Sequence, residues 1–158
     1  MEINFVFIKP NEDNYTRKKI QFEEENMYEV MAEELDIPVE NITMDVMPAP
    51  MHSVVSFTYF GKVEDRFTTE DINFMMFGGL PCFGTTAFAY LDFDGNNEAN
   101  LISMDDELAK AVFEFIKTNR ENIDDKLKET IKENIESGEF DRKMQLLMEI
   151  DNRDNGDE

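Results

Sequence analysis

The sequence predicts an α+β fold: a small, mostly antiparallel sheet with inserted helices, followed by a helical C-terminal part. Two observations support this prediction. Before Ser103 the chain alternates apolar and polar residues with a period of two, which is typical of half-buried strands. From Ser103 onward apolar residues recur every three or four positions, as in amphipathic helices. We expect one domain over residues 1–150, with its helical part at 103–150 and a disordered acidic tail at 151–158.

The N-terminal part supplies the first strand and the first helix. Residues 2–8 alternate and predict a strand, and because the run lacks a basic leading region we do not expect a signal peptide. Residues 10–19 predict a loop, with an extended stretch around 15–22 as the alternative. Residues 24–36 predict a helix, since apolar residues repeat there at helical spacing and Pro38 follows.

Three further strands are predicted in the middle of the chain. Residues 41–47 and 52–60 predict two of them. Pro48-Ala49-Pro50 predicts a connection or an edge between them, because proline lacks the N–H that pairs neighbouring strands. Residues 85–92 alternate and predict the third, which Asp94-Gly95 ends in a turn.

A short helix and a loop are predicted between these strands. Thr69 is placed to cap a helix from Asp71 to Phe77, and Gly78-Gly79 ends it. Residues 80–84 predict a loop, since they contain both proline and glycine.

The C-terminal part predicts three helical stretches. Ser103-Met104-Asp105-Asp106 resembles a capping box with Asp in place of Glu. Apolar stripes at helical spacing follow, and Ser137-Gly138 interrupts them before the last. The stripes are Leu108, Val112, Phe115 and Ile116; Ile123, Leu127, Ile131 and Ile135; and Phe140, Met144, Leu147 and Met148.

The charge is strongly one-signed. The chain has 15 Lys plus Arg against 36 Asp plus Glu, which gives a net charge of −21. This argues against direct binding to nucleic acid, which needs a basic surface, and against docking on an anionic membrane. The 14 Phe and 11 Met supply enough apolar material for a core, unlike a disordered acidic tail.

Two segments concentrate the acidic residues. From Ile20 to Gly61 the chain has nine acidic residues and no Lys or Arg, and from Tyr90 to Ala109 it has six and again no Lys or Arg. In the predicted helix 24–36, four carboxylates fall within about 80° of one another on a helical wheel, opposite the apolar residues. These are Glu25, Glu29, Glu33 and Asp36.

The spacing favours a surface that imitates nucleic acid. Carboxylates four residues apart lie about 6 Å apart along a helix axis, which is the order of the spacing between neighbouring phosphates measured along a nucleic-acid strand. Such like-charge pairs destabilise a helix by ~0.2–0.5 kcal/mol each. By contrast, residues 123–135 mix acids with lysines and predict the ion pairs Asp124–Lys128 and Glu129–Lys132. The alternative is that the acidity only keeps the protein in solution.

We find no complete catalytic or metal-binding motif and expect no cofactor. The run Asp92 to Glu98 fails the calcium-loop template, since its sixth position is not Gly and its twelfth is not Glu. The glycines of residues 78–84 match no phosphate-binding pattern. An enzyme would need a pocket that brings Cys82 or His52 beside a carboxylate. One cysteine allows no internal disulfide, and we expect a cytosolic protein.

A local pattern resembles small uncharacterised proteins of phages and mobile elements. It runs over Phe83-Gly84-Thr85-Thr86-Ala87-Phe88-Ala89-Tyr90 and continues at Leu101-Ile102-Ser103-Met104-Asp105-Asp106-Glu107. In that group a Gly-Thr-aromatic strand precedes a helix start near the C-terminus, whereas this chain runs on into a long helical part. The resemblance implies no activity; it implies a source whose compact acidic proteins include anti-CRISPR and anti-restriction inhibitors.

The sequence therefore predicts a non-enzymatic inhibitor that binds a basic nucleic-acid-binding defence protein, such as a CRISPR effector, in the bacterial cytosol. The alternative is an interaction module that binds its partner through Met75-Met76-Phe77 and Met47-Pro48-Ala49-Pro50-Met51, while the acidic residues serve only to keep the protein in solution. The oligomeric state is not predicted. The predicted partner-binding residues are Glu23, Glu24, Glu25, Glu29, Glu33, Asp36, Asp92, Asp94 and Glu98.

Overall fold

The structure is a computed structural model that describes residues 1–47, 51, 53–63, 66–76, 80–93 and 99–146. In these ranges it has eight strands and four helices. The strands are β1 (Glu2–Ile8), β2 (Tyr15–Gln21), β3 (Ile42–Val46), β4 (Val54–Tyr59), β5 (Ile72–Met75), β6 (Pro81–Phe83), β7 (Thr86–Phe93) and β8 (Ala99–Ile102). The helices are α1 (Met27–Glu34), α2 (Asp106–Glu121), α3 (Asp125–Glu136) and α4 (139–146).

The predicted α+β fold with an antiparallel sheet is confirmed. The main sheet has the strand order β2-β1-β7-β4-β3, and β8 pairs with β7 alongside β1. Strands β5 and β6 form a separate two-stranded sheet. Every strand pair that the structure describes is antiparallel.

Alternation along the strands gives the main sheet two apolar faces. On one face Phe5, Phe57 and Ala89 are fully buried beneath α1. On the other face Val6 and Phe88 are fully buried beneath α2 and the β5–β6 sheet. The sheet is therefore covered on both sides, which explains why β4 is nearly continuous in apolar residues.

Helices α3 and α4 form a third apolar cluster around β6. Ile131 of α3 and Phe140 and Met144 of α4 are buried against Phe83. Phe83 and Phe140 meet edge to face at 5.8 Å between ring centroids. The apolar stripe on α3 and the break at Ser137-Gly138 are confirmed, and Gly138 has the positive φ of 82° that favours glycine at a helix end.

The loop predicted over residues 10–19 is wrong beyond residue 14. Strand β2 occupies Tyr15–Gln21 and pairs with β1 over its whole length, so the extended alternative is the observed one. Its exposed residues include Arg17, Lys18 and Lys19. Because these side chains are charged, the segment has no apolar alternation that would predict a strand. Backbone pairing with an apolar neighbour, and not its own side chains, makes this segment a strand.

The helix predicted from Asp71 to Phe77 is also wrong. Thr69–Asp71 is a short 3-10 helix capped by Thr68, and residues 72–75 form β5. The Asn119 side chain of α2 accepts a hydrogen bond from the Met75 N–H at 2.8 Å and donates one to the Met75 carbonyl at 3.0 Å. This amide replaces a missing neighbouring strand, so a tertiary contact decides the conformation.

The loop predicted at residues 80–84 contains strand β6, and the helix start predicted from a capping box at residues 103–106 is shifted to Asp105. Pro81 is the first residue of β6. The first position of a strand tolerates proline, which has no N–H to donate to a neighbouring strand. The N-cap of α2 is Asp105, whose Oδ1 accepts from the Leu108 N–H at 2.8 Å, so the predicted capping box is wrong. Ser103 instead accepts a hydrogen bond from the Asn4 N–H at 2.8 Å.

Helix α2 and helix α3 differ from prediction in two details. Phe113 joins Val112 and Ile116 in the core, while Phe115 is half-buried. The Asp124 carboxylate caps α3 by accepting from the Leu127 N–H at 2.8 Å. Lys128, which was expected to pair with Asp124, lies 3.8 Å from the carboxylate of Glu70.

Several predictions concern residues outside those described. They are the Pro48-Ala49-Pro50 connection, the helix end at Gly78-Gly79, the turn at Asp94-Gly95, the last apolar positions Leu147 and Met148, and the tail 151–158. Strand β8 was not predicted. Its four residues, Ala99–Ile102, are too short for a clear alternation.

Candidate partner-binding surface

Five of the predicted partner-binding carboxylates lie together on α1 and the turn before it. Glu24 and Glu25 belong to a 3-10 helix that leads into α1, with Glu23 as its N-cap. Glu29 and Glu33 lie on α1 itself. All five side chains are exposed. We call this set, Glu23, Glu24, Glu25, Glu29 and Glu33, the α1 acidic face.

The opposite side of α1 fixes this orientation. Met31 is fully buried, and Leu35, just past the helix, is 8% exposed. Both pack on the sheet face that contains Phe57. Tyr28 meets Phe57 at 6.4 Å between ring centroids. Because the apolar side is anchored, the carboxylates face solvent, as the helical wheel predicted.

Asp36 does not lie on the helix as the wheel assumed. The α-helix ends at Glu34, and Asp36 has a left-handed φ of 55°. The Ile37 N–H donates to the Ala32 carbonyl at 3.0 Å, which closes the helix in a Schellman-type turn. The backbone carbonyl of Asp36 accepts a hydrogen bond from Arg66.

The C-terminal end of α1 is electrostatically unfavourable. Helix dipoles favour cations in the last turn by about 0.3–1 kcal/mol each. Here the last turn has no basic residue and contains Glu33 and Glu34, with Asp36 just beyond. Lys18 of β2 pairs with Glu34 at 2.5 Å and leaves Glu33 without an ion pair among the described residues. Stability therefore does not explain the acidic end of this helix.

The second acidic segment is not continuous with the α1 acidic face. Asp92 is exposed on β7 and shares its side of the sheet with Phe88, the side covered by α2. Asp94 and Glu98 lie outside the described residues. Asp106, further along this segment, lies 3.4 Å from Arg17. The structure thus brings the carboxylates of residues 23–33 together and separates Asp92 from them.

The methionine segments of the alternative hypothesis contribute to the core. Met47 is 2% exposed, and Met51 and Met76 pack against the same cluster beneath α2. The remaining residues of these segments that would contact a partner, Pro48-Ala49-Pro50 and Phe77, lie outside the described residues. The described apolar side chains that are exposed lie elsewhere: Met1, Tyr28, Val39, Val46, Ile102 and Leu146.

Cys82 lines a cavity of about 230 Å³ together with Asp45, between β3, β4, β6 and α4. This is the kind of neighbourhood that a cysteine nucleophile would need, but the electrostatics oppose it. Burial is the main cause that raises the pKa of the Cys82 thiol to about 12, and the charge of Asp45 contributes to this rise. A reactive cysteine needs a lowered pKa. His52 lies outside the described residues.

The described residues contain no group of three or more His, Cys, Asp or Glu side chains that could hold a metal ion. In the same part of the chain, no helix combines the length and the apolar character needed to cross a bilayer.

Comparisons with protein-family models, with curated proteins and with solved structures found no match.

Proposed function

We propose that this protein is a non-enzymatic inhibitor that binds a basic nucleic-acid-binding protein through the α1 acidic face. The supporting observation is the exposed row of carboxylates that ends at Glu33, on a helix whose last turn carries acids where cations would stabilise it. A surface kept at a cost in stability is best explained by a partner that uses it. The partner class is a bacterial defence protein, such as a CRISPR effector or a restriction enzyme.

Inhibition would follow from competition for a nucleic-acid groove. The carboxylates of Glu29 and Glu33 are separated by about 6 Å along the helix axis, so neighbouring lysines or arginines in a groove can contact both. The net charge of −21 attracts such a groove at long range, which speeds association and makes it sensitive to salt. The bound protein then blocks access of guide or target nucleic acid.

The source and location of the protein form part of this proposal. The resemblance at residues 83–90 and 101–107 supports a phage or mobile element as its source, and the bacterial cytosol is where such an inhibitor meets its target.

The runner-up proposal is an interaction module with an apolar interface, in which the acidity only keeps the protein in solution. The observation that favours it is the exposure of large apolar side chains, of which Val46 is 55% exposed and Leu146 57% exposed. Salt separates the two proposals, since an apolar interface is nearly indifferent to ionic strength.

The test is inhibition of DNA cleavage by a panel of purified CRISPR effectors and restriction enzymes. The variant Glu25→Lys/Glu29→Lys/Glu33→Lys reverses the charge of three of the five carboxylates of the α1 acidic face. The matched control Glu129→Lys/Glu133→Lys/Glu136→Lys changes exposed positions of α3. Each triple adds six charges, so both change the net charge from −21 to −15.

The proposal expects at least one enzyme to be inhibited by the wild type and by the α3 triple, but not by the α1 triple. Circular dichroism of both variants checks that the fold is retained. Equal loss of inhibition in both triples would show that net charge alone acts. Retained inhibition by the α1 triple would show that this face is not the interface.

A further inference from the structure

The two outer strands of the main sheet are protected differently. In the part of the chain that the structure describes, β2 and β3 end the path β2-β1-β7-β4-β3. The β2 edge carries Arg17, Lys18 and Lys19, and lysine on an edge strand discourages pairing with another chain. Strand β3 has the sequence Ile-Thr-Met-Asp-Val and carries no basic residue. Its edge therefore lacks that protection.

The backbone groups of β3 that face outward can be assigned from its register. The Met47 N–H donates to the Val54 carbonyl at 2.9 Å, and the Phe60 N–H donates to the Asn41 carbonyl at 2.6 Å. Residues at odd positions from 41 to 47 therefore bond to β4, and Met44 and Val46 direct their N–H and carbonyl groups away from it. None of the hydrogen bonds found among the described residues uses the outward groups of Met44 or Val46.

The side chains beside this open edge form an apolar row. Alternation places Ile42, Met44 and Val46 on the sheet face covered by α1. Val46 is 55% exposed, and Ile42 and Met44 are partly buried. An added strand could continue this row with apolar side chains at every second position.

The charge around the edge selects the kind of strand. Strand β3 lies inside the span from Ile20 to Gly61, which has nine acidic residues and no Lys or Arg. Glu40, just before the strand, is exposed. A second copy of this chain would bring another net charge of −21 to the same edge, which opposes self-association. A strand rich in Lys or Arg is favoured instead.

We propose that the β3 edge accepts an extended basic segment of the partner protein, which adds as a further strand beside Met44 and Val46. Main-chain hydrogen bonds would provide affinity, and alternation of apolar and basic side chains would provide specificity. The proposal rests on the proposed function in expecting a basic partner, and it adds a second contact to the one made by the α1 acidic face.

The probe is the synthetic peptide Val-Lys-Val-Lys-Val-Lys-Val-Lys, titrated into the isotopically labelled protein and followed by amide NMR. Its control is Val-Val-Val-Val-Lys-Lys-Lys-Lys, which has the same charge but no alternation. We expect the amides of Met44 and Val46 to shift with the alternating peptide, which should bind at least tenfold more tightly than the block peptide. Equal binding of the two peptides, or shifts confined to α1, would overturn the proposal.

Two variants test the edge itself. Met44→Pro removes an outward N–H without removing a bond to β4, and Val46→Lys adds a repelling charge at an exposed position. The matched control Gln21→Pro makes the same backbone change at an outward position of the β2 edge. We expect both β3 variants to weaken peptide binding at least tenfold and the control to change it less than twofold. Unchanged binding to Val46→Lys, which should fold normally, would overturn the proposal.

The outcomes separate this inference from the proposed function. If no effector is inhibited but the alternating peptide binds at β3, the proposed function fails, while the inference that the β3 edge accepts a basic strand remains. If an effector is inhibited equally by the wild type and by Val46→Lys, the inference fails and the proposed function remains. Sedimentation that shows a dimer lost in Met44→Pro would assign the edge to a second copy and overturn the inference.

Discussion

The guanidinium of Arg120 lies 2.5 Å from the side-chain oxygen of Asn73, which is fully buried. Arg120 also donates to the Asn73 carbonyl at 2.8 Å and to the carbonyls of Lys9 at 2.7 Å and Glu12 at 2.8 Å. The amide of Asn73 donates in turn to the Ile8 carbonyl at 2.7 Å. One side chain of α2 thus joins β5 to the connection between β1 and β2.

We predict that Arg120→Lys lowers the free energy of unfolding by about 2–3 kcal/mol. A lysine cannot reproduce the planar set of donors, and the buried Asn73 oxygen would lose its partner. Burial lowers the pKa of Arg120, and a lysine at this half-buried position would be less favourable still. Urea denaturation measures the change. Arg142→Lys on exposed α4 is the control, and we expect it to change the free energy of unfolding far less. A loss that small for Arg120→Lys would contradict the structural role.

Asp36→Gly should stabilise the protein by about 0.5–1 kcal/mol. Glycine adopts the left-handed φ of 55° without a Cβ penalty, and the change removes a carboxylate from the negative end of α1. Asp36→Ala removes the same charge but keeps the Cβ, so it should be about 1 kcal/mol less stable than the glycine variant. Thermal and urea denaturation of the pair measures this difference. Equal stability of the two variants would show that the backbone conformation at residue 36 differs.

Glu33→Lys should stabilise α1 and at the same time weaken inhibition. A cation in the last turn of a helix contributes about 0.3–1 kcal/mol, whereas the α1 acidic face loses one of its carboxylates. Glu136→Lys makes the matched change in the last turn of α3, and should stabilise without affecting inhibition. Denaturation and DNA-cleavage assays on both variants measure the two effects. Unchanged inhibition by Glu33→Lys would remove this residue from the interface.

The Cys82 thiol should not react with Ellman's reagent at pH 8 until the protein unfolds. It is 3% exposed, and burial raises its pKa from 9.0 to about 12. The thiol has a lower pKa in the unfolded chain than in the folded chain. The contribution of the buried, protonated thiol to stability is therefore fully present below about pH 9, and it is lost as the pH rises toward 12. The stability of the wild type relative to Cys82→Ala should fall across that window. A rapid reaction of the folded protein would show that the thiol is accessible.

The elements that the sequence predicted well are those whose own side chains carry the pattern. Strands β1 and β7 are runs of apolar and aromatic residues, and α1 and α3 have apolar residues at helical spacing. These patterns are local to each element, so they can be recognised without knowledge of its neighbours.

The missed elements depend on contacts between distant residues. Strand β2 is a strand because β1 pairs with it, and β5 is held by the Asn119 side chain, 44 positions from Met75. The hydrogen bonds from Arg120 to Asn73, Lys9 and Glu12 were not predicted for the same reason. No local signal in the sequence distinguishes an arginine that binds backbone carbonyls from one that faces solvent.

The candidate surface was predicted in part. The exposed carboxylates of residues 23–33 follow from helical spacing and from the absence of cations. The separation of Asp92 from them, and the open edge at Met44 and Val46, depend on strand order and hydrogen-bond direction. Neither can be deduced from composition or spacing, because both arise from how β3, β4 and β7 are arranged.

The most direct test of the central claim is the affinity for the effector that the inhibition panel identifies, measured from about 50 to about 500 mM salt with and without competing duplex DNA. Screening shortens the range of electrostatic attraction below about 10 Å over this interval. Binding through the α1 acidic face predicts an affinity that falls steeply with salt and a complex that DNA displaces. An affinity that is unchanged by salt and by DNA would contradict it and would favour an apolar interface.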